Sequence, residues 1–252
     1  MKRVVFLGGK EIGFFCLEYL LSNSKNFDIE IAGVLTNNKS ISGSDFSFVD
    51  LCEKHSVNRM ANLEELLILD HIDIIISVQY HQILQKEHIV KAKQIAINLH
   101  MAPLPEYRGC NQFSFAIIDG VDEFGTSIHK LEESIDGGDL LFEKRFEVPE
   151  NFFVKDLYEK TFDESKTLFV EKIKKIIDNN IECIPQKNLP QSRKRGFHLR
   201  NELKEIKNIQ SDWPVEKQKR YFRATYFPPF PPPTLVLKNG VLELNMEWYT
   251  SL

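Results

Sequence analysis

The sequence predicts a Rossmann-like α/β core with a mostly parallel sheet, followed by a small C-terminal region with a β-hairpin. Short apolar runs alternate with helical patterns over residues 1–100, which is typical of parallel strands covered by helices on both faces. A long helical pattern then closes the core, and a proline-rich segment precedes an Asn-Gly turn. We predict a catalytic domain over residues 1–184 and a C-terminal region over residues 185–252.

Each element of the core follows from hydrophobic periodicity. Short runs rich in β-branched residues predict buried strands over Arg3–Leu7, Ile29–Leu35, Ile72–Val78 and Gln94–Leu99. Apolar residues at helical spacing predict helices between them, over residues 12–21 and over Asp45–His55, Leu63–Leu69 and Glu87–Ala92.

The pattern changes after Leu99, where prolines and a glycine predict an irregular loop. Asn111 is predicted to cap a helix that runs through Ile118. The remaining predicted elements are strands Gly125–Leu131 and Leu140–Val148, helix Val154–Asn179, and a terminal hairpin of Thr234–Leu237 and Val241–Asn245. Asn239-Gly240 favours a type I′ turn in that hairpin.

Composition excludes several classes of protein. The 252 residues carry a net charge of −4 and a pI near 6.0, so no global basic field attracts nucleic acid or an anionic membrane. Four scattered cysteines without a Cys-x-x-Cys pair argue against structural zinc and a disulfide framework. Neither a signal peptide nor an apolar stretch long enough for a membrane helix is apparent. We therefore expect a cytoplasmic protein with no metal, nucleic acid or membrane partner.

Three polar residues suggest a site for acyl transfer. Asn98 and His100 lie two residues apart at the end of a predicted strand, so they point to the same side. Asp136 precedes Gly137-Gly138, where the backbone can approach a ligand closely. An amide can donate to a developing oxyanion, an imidazole can transfer a proton, and a carboxylate can orient the imidazole. From the pattern alone, His100 is equally well a strand-end histidine bonded to backbone, and Asp136 a turn residue.

The stretch Asn98-Leu99-His100-Met101-Ala102-Pro103-Leu104-Pro105-Glu106-Tyr107-Arg108-Gly109, followed by Ile135-Asp136-Gly137-Gly138-Asp139, resembles the 10-formyltetrahydrofolate-dependent formyltransferases. The resemblance covers roughly residues 1–230 and implies that Asn98, His100 and Asp136 are catalytic. It implies 10-formyltetrahydrofolate as co-substrate, without a metal. The residues expected to hold it are Tyr80, His81, Gln82, Ile83, Leu84, Leu131, Gly137 and Asp139. At Met101-Ala102, just after the histidine, the sequence differs from most members of the family, and we expect this difference to alter the shape of the acceptor pocket.

Two further stretches, residues 107–117 and 223–230, resemble the sugar N-formyltransferases that act on dTDP-linked amino sugars. The resemblance implies a nucleotide-linked amino sugar as acceptor, with dTDP-4-amino-4,6-dideoxyglucose as the best expectation, for surface polysaccharide such as O-antigen. Cations and aromatic faces suit a nucleotide diphosphate. The residues expected to contact this substrate are Met101, Tyr107, Arg108, Gly109, Asn111, Arg195, Tyr221 and Tyr226.

The sequence alone leaves other functions open. The acceptor could be a UDP-amino sugar or glycinamide ribonucleotide, the reaction could be hydrolysis of the formyl folate, or the chain could bind nucleotide sugars without catalysis. We interpret His129 as structural and exclude Cys110 as a nucleophile, because nothing in the sequence supplies its paired base. The apolar hairpin and the proline-aromatic run suit a homodimer interface.

Overall fold

The apolar runs of the first half form the strands of a six-stranded sheet in the computed structural model, which describes residues 1–36 and 46–252. The elements in chain order are β1 (Lys2–Gly8), α1 (Lys10–Ser22), α2 (Ser24–Phe27), β2 (Ile29–Thr36), α3 (Phe48–Lys54), α4 (Leu63–Ile68), β3 (Ile72–Val78), α5 (Lys86–Ile89), β4 (Ala92–His100), β5 (Arg108–Gly109), α6 (Gln112–Asp119), β6 (Glu123–Lys130), β7 (Leu140–Glu147), α7 (Val154–Ile177), a 3-10 turn (Gln186–Asn188), β8 (Phe197–His198), α8 (Glu202–Ile206), β9 (Asn208–Gln210), α9 (Val215–Thr225), β10 (Thr234–Leu237), β11 (Gly240–Glu243) and α10 (Met246–Ser251).

The main sheet has the strand order β2-β1-β3-β4-β6-β7. Strands β2, β1, β3 and β4 pair in parallel, and β6 pairs antiparallel to β4. The central strands β1 and β3 consist largely of β-branched and other apolar residues that are fully buried, as expected where both faces of a parallel sheet are covered. The predicted mostly parallel α/β core is thereby confirmed.

The chain divides into two compact units. The first comprises Met1–Met101, Thr126–Lys144 and Glu164–Gln191, and the second comprises Ala102–Gly125, Arg145–Asp163 and Ser192–Leu252. This division differs from the boundary expected between residues 184 and 185, because residues 185–191 lie with the first unit. A separate C-terminal domain over residues 185–252 therefore stays a prediction.

Each unit has its own apolar clusters. In the first unit, side chains of β1, β2, β3 and β4 pack with Met60 and Leu66 into a buried cluster. In the second unit, one cluster gathers around Phe124 and Leu157, and another gathers around Phe222 with aromatic residues from the C-terminal helices. The aromatic residues that follow the core in sequence therefore serve mainly as packing groups in this unit.

Three predicted helical features differ from the structure. The helix expected over Glu87–Ala92 is the single turn α5, because Ala92 already begins β4. The helix expected over Asp45–His55 is observed as α3, and Asp45 lies outside the described residues. Asn111 precedes α6 as predicted but has a φ of +59° and no capping side-chain bond. Its amide instead donates to the carbonyls of Leu199 and Arg200.

The C-terminal hairpin also differs in detail. Leu237 pairs with Gly240, so the two-residue loop is Lys238-Asn239 and Gly240 belongs to β11. Neither loop residue has a positive φ, so the predicted type I′ turn is wrong. The hairpin gains a third, parallel strand from β9, and a short helix α10 follows it; the sequence analysis identified neither.

Within the described residues, no helix combines the length and apolarity needed to cross a membrane.

Candidate active site

The carboxyl end of β4 presents Asn98 and His100 on one side of the strand. The backbone of His100 is anchored, because its carbonyl accepts a hydrogen bond from Thr126 Oγ1 at 3.1 Å. Thr126 in turn accepts one from Ser165 Oγ on α7 at 2.8 Å. The imidazole of His100 is 5% exposed. The chain thus holds the end of β4 in place from a neighbouring strand and a helix.

The carboxylate of Asp136 meets both residues from the loop between β6 and β7. Its Oδ2 lies 3.7 Å from Nδ1 of His100, and its Oδ1 lies 3.5 Å from Nδ2 of Asn98. Asp136 has a φ of +49°, a left-handed conformation that is uncommon for a residue other than glycine. Such strain persists only where the surroundings impose it, and it is concentrated at functional sites. The structure therefore brings together the three residues predicted as catalytic.

A second histidine belongs to this cluster. His129 lies opposite Asn98 in the β4–β6 pairing, and its Nε2 is 3.1 Å from Asn98 Nδ2 and 3.5 Å from Asp136 Oδ1. Its Nδ1 lies 2.7 Å from the carbonyl of Lys130, which can only accept, so Nδ1 carries the hydrogen. In the neutral ring, Nε2 then accepts the hydrogen bond from the Asn98 amide, an assignment that rests on the partners. The sequence analysis placed His129 on a strand and outside the site.

A cavity of about 130 Å³ adjoins the cluster within the first unit. Among its lining residues are Asn98, His129 and Asp136. Five of the residues expected to hold the co-substrate also line it, namely Tyr80, Gln82, Ile83, Leu84 and Leu131. The other three do not: His81 is exposed beside the ring of Tyr80, Gly137 donates its N–H to Ser134, and Asp139 pairs with Lys130.

The segment that follows β3 contributes Tyr80, Gln82, Ile83 and Leu84 to the wall of this cavity. The amides of Tyr80–Leu84 make no backbone–backbone hydrogen bond within the described part of the chain. A heterocycle rich in ring nitrogens and an amide needs such donors and acceptors. Burial raises the pKa of the Tyr80 phenol, so this group stays neutral at physiological pH. The wall therefore combines apolar residues such as Leu84 and Leu131 with polar and acidic ones, a lining that suits a polar heterocycle.

The structure places the predicted substrate residues in varied surroundings. Met101 belongs to the first unit and is fully buried after His100, so its side chain has no open surface to offer a ligand. Tyr107 is buried in the second unit and donates its hydroxyl to Asp119 at 2.9 Å. Burial, followed by the charge of Asp119, raises the pKa of this phenol. Both side chains therefore have packing roles.

The other predicted substrate residues belong to the second unit. Gly109 has a φ of +85°, and a Cβ there would lie 2.4 Å from the carbonyl of His198, so only glycine fits this paired strand. Arg108 lies over the ring of Phe197, with Cζ 6.0 Å from its centroid. Asn111 holds the backbone of residues 199 and 200, as described above. These contacts order the loop, and direct substrate contact stays a prediction.

Three predicted residues lie further along the second unit. Arg195 is exposed, and Tyr221 packs edge-on against Trp213. Tyr226 stacks on Phe222 with ring centroids 4.8 Å apart, which occupies one of its faces. Their contact with a nucleotide stays a prediction.

The site's chemistry is that of amide, imidazole and carboxylate groups. In residues 1–36 and 46–252, no group of three His, Cys, Asp or Glu side chains has the geometry to hold a metal ion. The cluster offers an N–H donor from Asn98, a proton donor or acceptor at His100, and a carboxylate acceptor at Asp136. These groups beside a cavity suit transfer of an acyl carbon to an amine.

Comparison with known proteins agrees with this chemistry. The family model described as formyl transferase matches residues 2–173. The chain is 30% identical over 181 residues to GDP-perosamine N-formyltransferase of Brucella melitensis, covering 71% of this chain and 67% of that protein. It is 28% identical over 246 residues to methionyl-tRNA formyltransferase of Clostridium tetani, covering 89% and 78%.

A solved structure has a similar fold. The N-formyltransferase of Helicobacter canadensis, in complex with folinic acid and dTDP-3-aminofucose, superposes with a TM-score of 0.77 at 22% identity. The alignment covers 94% of this chain and 85% of that one.

Proposed function

The chain belongs to the formyl transferase family, and from that premise we propose that it transfers a formyl group from 10-formyltetrahydrofolate to the amino group of a dTDP-linked amino-dideoxy sugar. One observation carries the proposal: Asn98, His100 and His129 surround the carboxylate of Asp136 beside a cavity. Formyl transfer from folate is the chemistry of the family, and the sugar acceptor is the finer part of the proposal.

The first unit fits the folate co-substrate. The cavity beside the catalytic cluster, lined by Tyr80, Gln82, Ile83 and Leu84 from the segment after β3, is the proposed site of the pterin ring. When bound, 10-formyltetrahydrofolate supplies a formyl carbon that an amine can attack. Leu84 and Leu131 offer apolar contact to the ring, while the neutral Tyr80 adds no charge. Polar lining residues such as Gln82 and Ser134 offer it hydrogen-bonding groups.

Each residue of the cluster has a distinct task in this mechanism. Asn98 donates an amide N–H to the formyl oxygen as negative charge develops there. Asp136 faces Nδ1 of His100 at 3.7 Å and orients the ring, so that protonated His100 adds a second donor to that oxygen. Asp136 also assists removal of the proton that the attacking amine loses. As the bond between the formyl carbon and the folate nitrogen breaks, that nitrogen takes up a proton and tetrahydrofolate leaves. His129 accepts one N–H of the Asn98 amide and so fixes its plane. The second N–H makes only a long 3.5 Å contact with Asp136 Oδ1, and this is the donor that the formyl oxygen takes up.

The nature of the acceptor rests on similarity. The Brucella melitensis relative is named for GDP-perosamine, and the Helicobacter canadensis structure contains dTDP-3-aminofucose. We propose dTDP because residues 223–230 resemble the enzymes that use it, and a 4-amino-4,6-dideoxyglucose because the same resemblance favours it. Synthesis of a surface polysaccharide such as O-antigen would use this product. The net charge of −4 disfavours tRNA as the acceptor.

A homodimer in the cytoplasm completes the proposal. Val241 and Leu242 of β11 are 69% and 50% exposed, and β11 lies at the edge of its three-stranded sheet. An exposed apolar edge strand favours pairing with another chain. Measurement of the molar mass in solution tests this part independently of activity.

The deciding experiment incubates the protein with 10-formyltetrahydrofolate and, separately, methionyl-tRNA or a panel of dTDP-, GDP- and UDP-amino sugars bearing the amine at the 3- or 4-position. Mass spectrometry follows the gain of one formyl group on the sugar. We expect the dTDP-4-amino sugar to react fastest, and an Asn98→Ala variant to fail with every sugar. Formate release without an acceptor would identify a hydrolase instead. Formylation of methionyl-tRNA alone would overturn the sugar acceptor while leaving formyl transfer in place.

A further inference from the structure

The loop that carries Asp136 needs an external support. Asp136 holds a left-handed backbone conformation, which its surroundings have to impose. Two backbone hydrogen bonds close the ends of the turn. Lys130 donates its N–H to the carbonyl of Asp139 at 2.9 Å, and Gly137 donates its N–H to the carbonyl of Ser134 at 3.1 Å. The carbonyls of Asp136 and Gly138 accept neither of these two bonds.

Gln186 supplies this support from fifty residues along the chain. Its Nε2 donates to the carbonyl of Asp136 at 2.8 Å and to the carbonyl of Gly138 at 2.8 Å. A primary amide has two N–H groups, so each carbonyl receives one. The side chain is largely buried, where bonds of this kind are shielded from competing water.

The segment that presents Gln186 is itself fixed to the first unit. Ile184 and Leu140 exchange two backbone hydrogen bonds of 2.9 Å, which attaches the segment to the first residue of β7. Pro185 accepts from Asn188 at 2.8 Å and closes the 3-10 turn that begins at Gln186. The donor is therefore anchored on the strand that immediately follows the Asp136 loop.

We propose that Gln186 is a positioning residue that sets the geometry of the Asp136 carboxylate for formyl transfer. Fixing the carbonyls of residues 136 and 138 fixes the backbone torsions between them, and with them the direction of the Asp136 side chain. That direction decides the 3.7 Å separation from His100 and the 3.5 Å separation from Asn98. Gln186 itself touches none of the reacting groups, and its role in turnover rests on the proposed function.

The test compares Gln186→Met with Gln94→Met. Methionine keeps the length of the side chain and removes both donors. Gln94 is the matched control, because its Nε2 also donates to two backbone carbonyls of the first unit, those of Ile176 and Ile177. We expect Gln186→Met to lower kcat about tenfold or more and to leave KM for both substrates within about twofold. Gln94→Met should leave both parameters unchanged.

A double variant with Asp136→Asn shows whether Gln186 acts through that carboxylate. If it does, Gln186→Met costs little further activity once Asp136→Asn is present, because residues that act as one unit are not additive. Independent, multiplying losses in the double variant would overturn the proposal. Equal loss of activity in Gln94→Met would also overturn it, since general destabilisation would then explain both.

Amide hydrogen exchange tests whether Gln186 stabilises the Asp136 loop, and it requires no measurement of enzyme activity. We expect the amides of Gly137 and Lys130, which close the two ends of the turn, to exchange about tenfold faster in Gln186→Met, and at the unaltered rate in Gln94→Met. Unchanged exchange in Gln186→Met would overturn the inference. If the wild-type protein formylated no acceptor but the exchange result held, the proposed function would fail and the structural support of the loop would stand.

Discussion

The side-chain amide of Asn98 lies 3.1 Å from Nε2 of His129, the residue directly opposite it in the antiparallel pairing of β4 with β6. This pairing links the donor of the site to a histidine whose other nitrogen is held by the carbonyl of Lys130. The orientation of Asn98 is therefore determined by strand register as well as by its own position on β4.

Replacing His129 by leucine should lower kcat by roughly ten- to a hundredfold, the range typical of partners that orient reacting groups. The cause is an Asn98 amide that loses its acceptor and rotates away from the formyl oxygen. Steady-state kinetics at saturating folate measure the effect. His88→Leu is the matched control, because His88 is also buried in the first unit and, among residues 1–36 and 46–252, its side chain bonds only to the backbone of Gln85. A kcat within twofold of wild type would contradict the role given to His129.

Asn98→Ala and Asp136→Asn should each reduce kcat by about two to three orders of magnitude, as for removal of an oxyanion donor. Folate binding should change little, because twelve of the thirteen residues that line the cavity are unaltered in each variant. Single-turnover kinetics combined with folate titration separate the two effects. Loss of folate binding in parallel with kcat would indicate that these residues bind the co-substrate and do not act on it.

Gly138→Ala should lower both stability and activity. A Cβ at this position would lie 2.0 Å from the carbonyl of Lys130, so the Asp136 loop has to shift away from β6. We expect a loss of about 1–3 kcal/mol in the free energy of unfolding, with a fall in kcat of at least tenfold. Gly240→Ala serves as the control, because it strains a positive φ in β11 but its Cβ meets no atom within 4 Å. Retained kcat in Gly138→Ala would show that the loop tolerates displacement.

Glu106→Gln should destabilise the second unit by about 1–3 kcal/mol, because it removes the carboxylate shared by two arginines. Arg145 bonds to Glu106 at 2.6 Å and Arg193 at 3.0 Å, and the glutamate side chain is 14% exposed. Glu123→Gln removes a single 3.4 Å contact with Arg145 from a side chain that is 56% exposed, so it should cost no more than about 0.5 kcal/mol. Urea unfolding measures both. Equal losses in the two variants would contradict the shared-carboxylate account.

The raised pKa of Tyr107 predicts an alkaline loss of stability. Burial, then the Asp119 carboxylate, raises the pKa of this phenol above its usual value of 10.0, so the folded state keeps the proton that the unfolded chain releases. This contribution is complete below about pH 10 and declines as the pH rises above it, toward the pKa of the folded state. In Tyr107→Phe, the free energy of unfolding should fall less steeply above pH 10 than in wild type. Identical slopes would show that Tyr107 does not contribute.

Much of the fold was predictable because strands and helices are indicated by the types and spacing of neighbouring residues. Runs of β-branched residues identified the four parallel strands to within two residues at each end, and helical periodicity identified the long helix α7. The three-residue strand β9 was missed, since it contains too few positions for a period to emerge, whereas the Asn-Gly dipeptide between two apolar runs predicted the hairpin strands β10 and β11. Loop torsions at the hairpin and at Asn111 depend on contacts with residues elsewhere in the chain.

By itself, the sequence determined the α/β core, the placement of Asn98 and His100 on one side of a strand end, and the glycine turn at Asp136. Those features depend on residue type and spacing alone, which act over a few neighbouring residues. Only the tertiary structure decided that His129 stands opposite Asn98 and that Gln186 supports the Asp136 loop. Strand register and a hydrogen bond between residues fifty positions apart are set by the packing of the whole unit, which no local pattern records.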